Sequence, residues 1–216
     1  IYVFERMNEE RAGFAPRWAI DHAETVRDDE LERIHALGGG IAIQNRMAFA
    51  GEYFVEHYGA KTATAAPPVR RMLDMGIPVG AGTDGRRVSS YNPRISLYWL
   101  VTGKTVGGLQ LWDEENKLTP KEALDILTAG SSWFSQEENV KGTIAEGMYA
   151  DFAILSDDYF SVEAEEIISL ESVLTVTGGN IVYAAEPFAA LAPEPLPAVI
   201  PEWSPVVTHQ DALDAR

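Results

Sequence analysis

The sequence of 216 residues contains no cysteine. That excludes disulfides, thiolate-ligated zinc and a thiol nucleophile. Histidine is scarce as well: His22, His35, His57 and His209 are the four. No apolar run reaches the roughly 18 residues needed to span a bilayer. The opening residues, Ile-Tyr-Val-Phe-Glu-Arg, turn charged at once and carry no secretory pattern. Basic residues are few, 17 Lys and Arg against 33 Asp and Glu, for a net charge of −16. Phosphate backbones and anionic membranes repel such a chain, so nucleic acid and membrane are not expected as partners. The plainest reading of the acidity is solubility. There is no Gly-x-Ser-x-Gly elbow, no dinucleotide fingerprint, no internal repeat and no low-complexity block.

What is present points to a packed α/β chain. Hydrophobic residues make up 46% of it, enough for a core. Arg17–His22 reads as a short strand with polar residues at its end. Asp28 is placed to cap a helix with Leu31, Ile34 and Leu37 inward and Gly38-Gly39 as its stop. Gly40–Gln44 reads as a second strand. A long excursion follows from Asn45 to Ala66, carrying Phe49, Tyr53, Phe54 and Tyr58. Pro67-Pro68 then opens a helix with Val69, Met72 and Leu73 inward, ended by Gly76. Ile77–Ala81 reads as a third strand, running into Gly82-Thr83-Asp84-Gly85. Helices separating successive strands imply parallel pairing.

A further helix is expected near Pro93. Another starts at Thr119, where Thr-Pro-Lys-Glu forms a capping box with Ala123, Ile126 and Leu127 inward. Beyond about Gly142 the pieces become short and β-rich: Asp151–Leu155, Val173–Val176 and Ile181–Tyr183. From Glu186 onward lie six of the twelve prolines. That stretch is expected to run extended, packed by Phe188 and Trp203.

Two positions stand out for chemistry. His22 ends the first strand and Asp84 follows the third. The carboxyl ends of parallel strands form the functional face of such folds, so the two side chains could converge. Imidazole and carboxylate are ordinary ligands of zinc and similar ions. The competing reading is structural: a strand-end histidine is often only hydrogen-bonded, and Asp in Gly-Thr-Asp-Gly is often turn chemistry. Two ligands also fall short of a closed zinc site. Gln44, Asn45 and Arg46 follow the second strand, and Arg86, Arg87, Tyr91 and Asn92 follow Asp84. They are candidate substrate contacts or solvated loop residues. His57 could reach a pocket, whereas His35 and His209 are expected on the surface. Ser89-Ser90 has no identifiable base.

The motifs resemble a known family. Arg17-Trp18-Ala19-Ile20-Asp21-His22-Ala23 resembles the sixth-strand segment of the amidohydrolase superfamily. Gly80-Ala81-Gly82-Thr83-Asp84-Gly85 resembles its eighth-strand segment. Leu118–Leu124 with Thr128 resembles the helix after the barrel. Lys141–Phe152 is similar to the return into a small β-domain. Among subgroups, the match is to relatives of N-substituted formamide deformylase. The resemblance spans Arg17 to Tyr183.

It implies the C-terminal part of a distorted TIM barrel (1–140), part of a β-sandwich (141–185) and an extended Pro-rich tail (186–216). It implies hydrolysis of non-peptide C–N bonds in small amides with a divalent metal, zinc first. His22 is then a metal ligand, and Asp84 a ligand and general base. The family's paired first-strand histidines and its other ligands have no match, and a whole barrel needs about 250 residues. The expectation is therefore a fragment whose remaining ligands lie upstream, with Ile1–Ala15 the tail of the preceding helix. Alone it is expected to bind metal weakly and to hydrolyse nothing. Open barrel edges suggest self-association, and the expected address is cytoplasmic. Two other readings stand beside this one: a non-catalytic binding or assembly module on the same fold, and an unrelated α/β domain that binds a small molecule.

Overall fold

A computed structural model of the chain describes residues 1–11, 16–85 and 89–194. It opens with helix α1 (Tyr2–Glu10). A parallel sheet follows, with strands β1 (Ala19–Asp21), β2 (Gly40–Gln44) and β3 (Val79–Gly82) in the order β1-β2-β3. Helix α2 (Asp28–Ala36) joins β1 to β2. Helices α3 (Met47–Tyr58), α4 (Ala60–Ala63) and α5 (Val69–Asp74) join β2 to β3. The register puts Asp21 opposite Ala42 and Gln44 opposite Gly82. All three carboxyl ends therefore point the same way.

The expected boundaries move slightly. Arg27, not Asp28, caps α2, because the Glu30 carboxylate accepts from the Arg27 N–H at 3.0 Å. Strand β3 starts at Val79, two residues late, since Pro78 has no N–H for the ladder. The excursion after β2 is mostly helix. Met47, Ala48, Gly51 and Phe54 bury one face of α3 at helical spacing.

Central strand β2 buries Ile41 and Ile43 completely, while the alternating Ala42 and Gln44 stay half-buried. Leu31 and Ile34 of α2 and Val69 and Met72 of α5 are buried in the same core. Helices α6 (Pro93–Thr102), α7 (Pro120–Leu127) and α8 (Ala129–Phe134) follow the sheet. The Thr119 capping box forms as expected: its hydroxyl accepts from the Glu122 N–H, and its N–H reaches the Glu122 carboxylate at 2.8 Å. Helix α8 lies close on β3, where a Cβ on Gly80 would stand 2.6 Å from the Phe134 ring. Arg17, just before β1, clips the far end of α8. It donates to the Trp133 carbonyl at 2.7 Å and pairs with Glu138, also at 2.7 Å. Those hydrogen bonds hold the Glu138 carboxyl down at about 2.

The second unit is an antiparallel sheet of β4 (Phe152–Leu155), β5 (Ser172–Thr177) and β6 (Asn180–Ala184). Leu174 and Val176 of β5 are buried, whereas Ile154, Val182 and Tyr183 are exposed. The tail expected to run extended makes a 3-10 turn at Ala189–Leu191. Trp203, its expected anchor, lies outside the described residues. Among those residues no helix is long and apolar enough to cross a membrane.

Candidate metal centre

His22 directly follows β1, and its N–H donates to the Ala42 carbonyl at 2.8 Å. The strand ladder thus runs to the histidine itself. The backbone then turns left-handed, with φ +76° at His22. The ring is half-buried. Its Nδ1 is enclosed and has no hydrogen-bond partner among the described residues. Asp84 follows β3 by two residues and is also left-handed, at φ +44°. Its carboxylate is exposed. The turn around it is braced: Gly85 N–H donates to Thr83 Oγ1 at 3.2 Å, and the Ser89 hydroxyl donates to the Thr83 carbonyl.

Between them stands β2. Two strand spacings separate β1 from β3, about 10 Å. An imidazole and a carboxylate reaching inward from either side can share that gap. At the end of β2, Gln44 Nε2 donates to the Ala42 carbonyl at 3.1 Å, and its Oε1 is buried without a partner. Asn45 is completely buried, and both of its carboxamide atoms lack a partner among the described residues. Buried polar groups are nearly always satisfied, so three such side chains at one end of one sheet mark an unfinished polar environment.

The other candidates divide. Arg46 is exposed at the start of α3. Tyr91 is 83% exposed. Asn92 caps α6, its Oδ1 accepting from the Arg94 N–H at 3.0 Å. Arg86 and Arg87 lie outside the described residues, as does His209. His35 is exposed on α2, and His57 is exposed on α3 with its Nδ1 paired to the Tyr53 carbonyl at 2.9 Å.

A family model described as the amidohydrolase family matches residues 1–183. The chain belongs to the amidohydrolase family. It is 26% identical over 165 residues to a putative amidohydrolase of Bacillus subtilis, covering 75% of this chain and 31% of that protein. It is 26% identical over 166 residues to N-substituted formamide deformylase of Arthrobacter pascens, covering 76% of this chain and 30% of the relative. The chain therefore spans about a third of the length of these curated relatives. Among solved structures, an uncharacterized metal-dependent hydrolase from Pyrococcus horikoshii aligns with TM-score 0.61 at 25% identity, over 76% of this chain and 32% of that one. Atrazine chlorohydrolase from Arthrobacter aurescens, complexed with zinc, aligns with TM-score 0.58 at 21% identity, over 97% of this chain and 43% of that one, a likeness of fold.

His22 and Asp84 are of the donor types that hold an ion, and both stand at the carboxyl end of the parallel sheet. They do not fit an ion in number. Among the described residues, no group of three or more His, Asp or Glu side chains comes together to hold one. A ligating histidine normally also donates its second ring nitrogen to an acceptor, and His22 Nδ1 has none.

A large cavity lies elsewhere. It measures about 1190 Å³ and runs between α6–α8 and β4, past Leu97, Leu127, Phe152 and Tyr159. None of His22, Gln44, Asn45 or Asp84 lines it. Two features of the site escaped the sequence reading. One is the Ser89 brace on the Asp84 turn, visible only as Ser89-Ser90 without a base. The other is the left-handed Ala23 beside His22, which no Gly or Asn announces.

Proposed function

We propose that this chain is the C-terminal part of a metal-dependent amidohydrolase that cleaves a non-peptide C–N bond of a small amide. The observation that carries the reading is that His22 and Asp84 follow strands β1 and β3 at the same end of one parallel sheet, in a chain of this family. The named relatives support an amide substrate, since one is a formamide deformylase. His22 and Asp84 would hold a divalent ion, zinc first, with donors from the rest of the longer protein. When bound, such an ion supplies Lewis acidity toward a carbonyl and lowers the pKa of water toward 7.

The chain's own residues account for the proton traffic. The Asp84 carboxylate takes a proton from the attacking water as the oxygen bonds to the amide carbon. It returns that proton to the leaving nitrogen as the C–N bond breaks, giving a carboxylic acid and an amine. Such a base contributes roughly 10²–10⁴-fold to the rate. Gln44 and Asn45, at the end of β2, are candidates for substrate contact in the longer protein. Arg46, Arg86, Tyr91 and Asn92 remain outer candidates for substrate contact.

The same reading makes the parallel sheet the last part of a distorted barrel and β4–β6 part of a β-sandwich. The exposed apolar side chains of that second sheet support it. With two donors only, the isolated chain is expected to bind zinc weakly and to hydrolyse nothing. It is also expected to self-associate through its open strand edges.

The test uses the longer protein. His22→Ala is expected to lose bound metal by elemental analysis. Asp84→Asn is expected to keep substrate binding and lose about 10²–10⁴-fold in turnover. Unchanged metal content and turnover in both variants would return His22 and Asp84 to structural roles.

A further inference from the structure

At the end of β1 the chain takes two left-handed residues in succession, His22 at φ +76° and Ala23 at φ +60°. Neither is glycine. An L side chain in that region crowds the following carbonyl, and residues held there persist only where their surroundings over-determine them. Both sides of this turn are held. On one side, the His22 N–H is fixed in the ladder by the Ala42 carbonyl at 2.8 Å. On the other, Ala23 packs against the core and lines a small cleft with Ile20, Val26 and Ile34.

We infer that Ala23 is a positioning residue for His22. Its packed methyl group commits the second left-handed step, and that step keeps the imidazole in the posture that encloses Nδ1. The inference rests on the proposed metal reading only in saying what the posture serves. Alanine suits the task for a physical reason. Glycine would enter the left-handed region freely but would leave it as freely. A β-branched side chain would be a genuine outlier there. Alanine is the smallest side chain that still provides an anchor.

The experiment needs no metal. Side-chain NMR of the histidine rings is recorded on this chain, with His35 and His57 as internal references. In Ala23→Gly the His22 signals are expected to broaden and average between tautomers, while those of His35 and His57 stay put. The melting temperature is expected to move by no more than about 3 °C, because relief of backbone crowding offsets the lost methyl. Ala23→Ser, which keeps a side chain of similar size, is expected to restore the narrow His22 signals. Unchanged His22 signals in Ala23→Gly would overturn the inference, whatever the melting temperature does. Equal broadening in Ala23→Ser would overturn it too, since the side chain would then not be the anchor. A well-ordered His22 in a longer protein that binds no metal would refute the proposed function and leave this inference standing.

Discussion

Arg70 and Glu122 meet in a two-point clasp, Nη1 to Oε1 at 2.7 Å and Nη2 to Oε2 at 2.8 Å. The clasp ties α5, the helix leading into β3, to α7 beyond the sheet. Arg70 Nη2 also donates to the Lys117 carbonyl at 3.0 Å, and the Thr119 N–H and hydroxyl both donate to Glu122 Oε2. These hydrogen bonds, Arg70 foremost, pull the Glu122 carboxyl down to about 2 from an ordinary 4.5.

A depressed carboxylate stabilises the fold above its unfolded pKa and stops doing so as pH falls through its folded one. The window here runs from about 4.5 down to about 2. Both side chains keep about a third of their surface in water, so screening limits the gain. Glu122→Gln is expected to cost about 1 kcal/mol at pH 7 in urea unfolding. The gap to wild type should close as the pH falls through that window. A gap independent of pH would show that the ionised clasp is not its source.

Gly130 in α8 comes so near β3 that a Cβ there would enter the Val79 carbonyl oxygen. Gly130→Ala therefore sets helix propensity, a gain of about 1 kcal/mol, against overpacking, a loss of about 1–3 kcal/mol. The contact is with backbone, which cannot rotate away, so net destabilisation is expected. Chemical denaturation decides it, and a variant more stable than wild type would mean that α8 sits further from β3 in solution.

Asn45 offers the opposite sign. Its carboxamide is wholly buried and unpaired, so it detracts from stability as it stands. Asn45→Leu is expected to leave this chain unchanged or to stabilise it by about 1–2 kcal/mol. In the longer protein the same change is expected to lower turnover, as stability and function often part at active sites. Clear destabilisation of this chain would reveal that the carboxamide finds a partner in solution.

Sequence made parts of this structure readable for definite reasons. His22, Gln44, Asn45 and Asp84 could be set at strand ends because alternating helical and strand patterns surround them. Thr119 could be assigned as a cap because Pro120 and Glu122 stand at the right offsets. Helix α3 was hidden because Arg46, which precedes it, gives no capping hydrogen bond and Gly51 interrupts its buried face. The left-handed turn at His22-Ala23 has no local signature at all. Nor has the isolation of Asn45, which depends on what packs around it, or the approach of Gly130 to Val79, which joins residues distant in sequence.

The Arg17–Glu138 clip joins positions 121 apart in the chain. During synthesis at about 5–20 residues per second, the partner of Arg17 appears roughly 6–24 s after Arg17 itself. Among the described residues, the three residues of β1 pair with β2 alone. The strand that leads into His22 is made well before the residue that clips it. Its ordering is thus a late step on the ribosome, open to competition from any other strand edge that emerges in the interval.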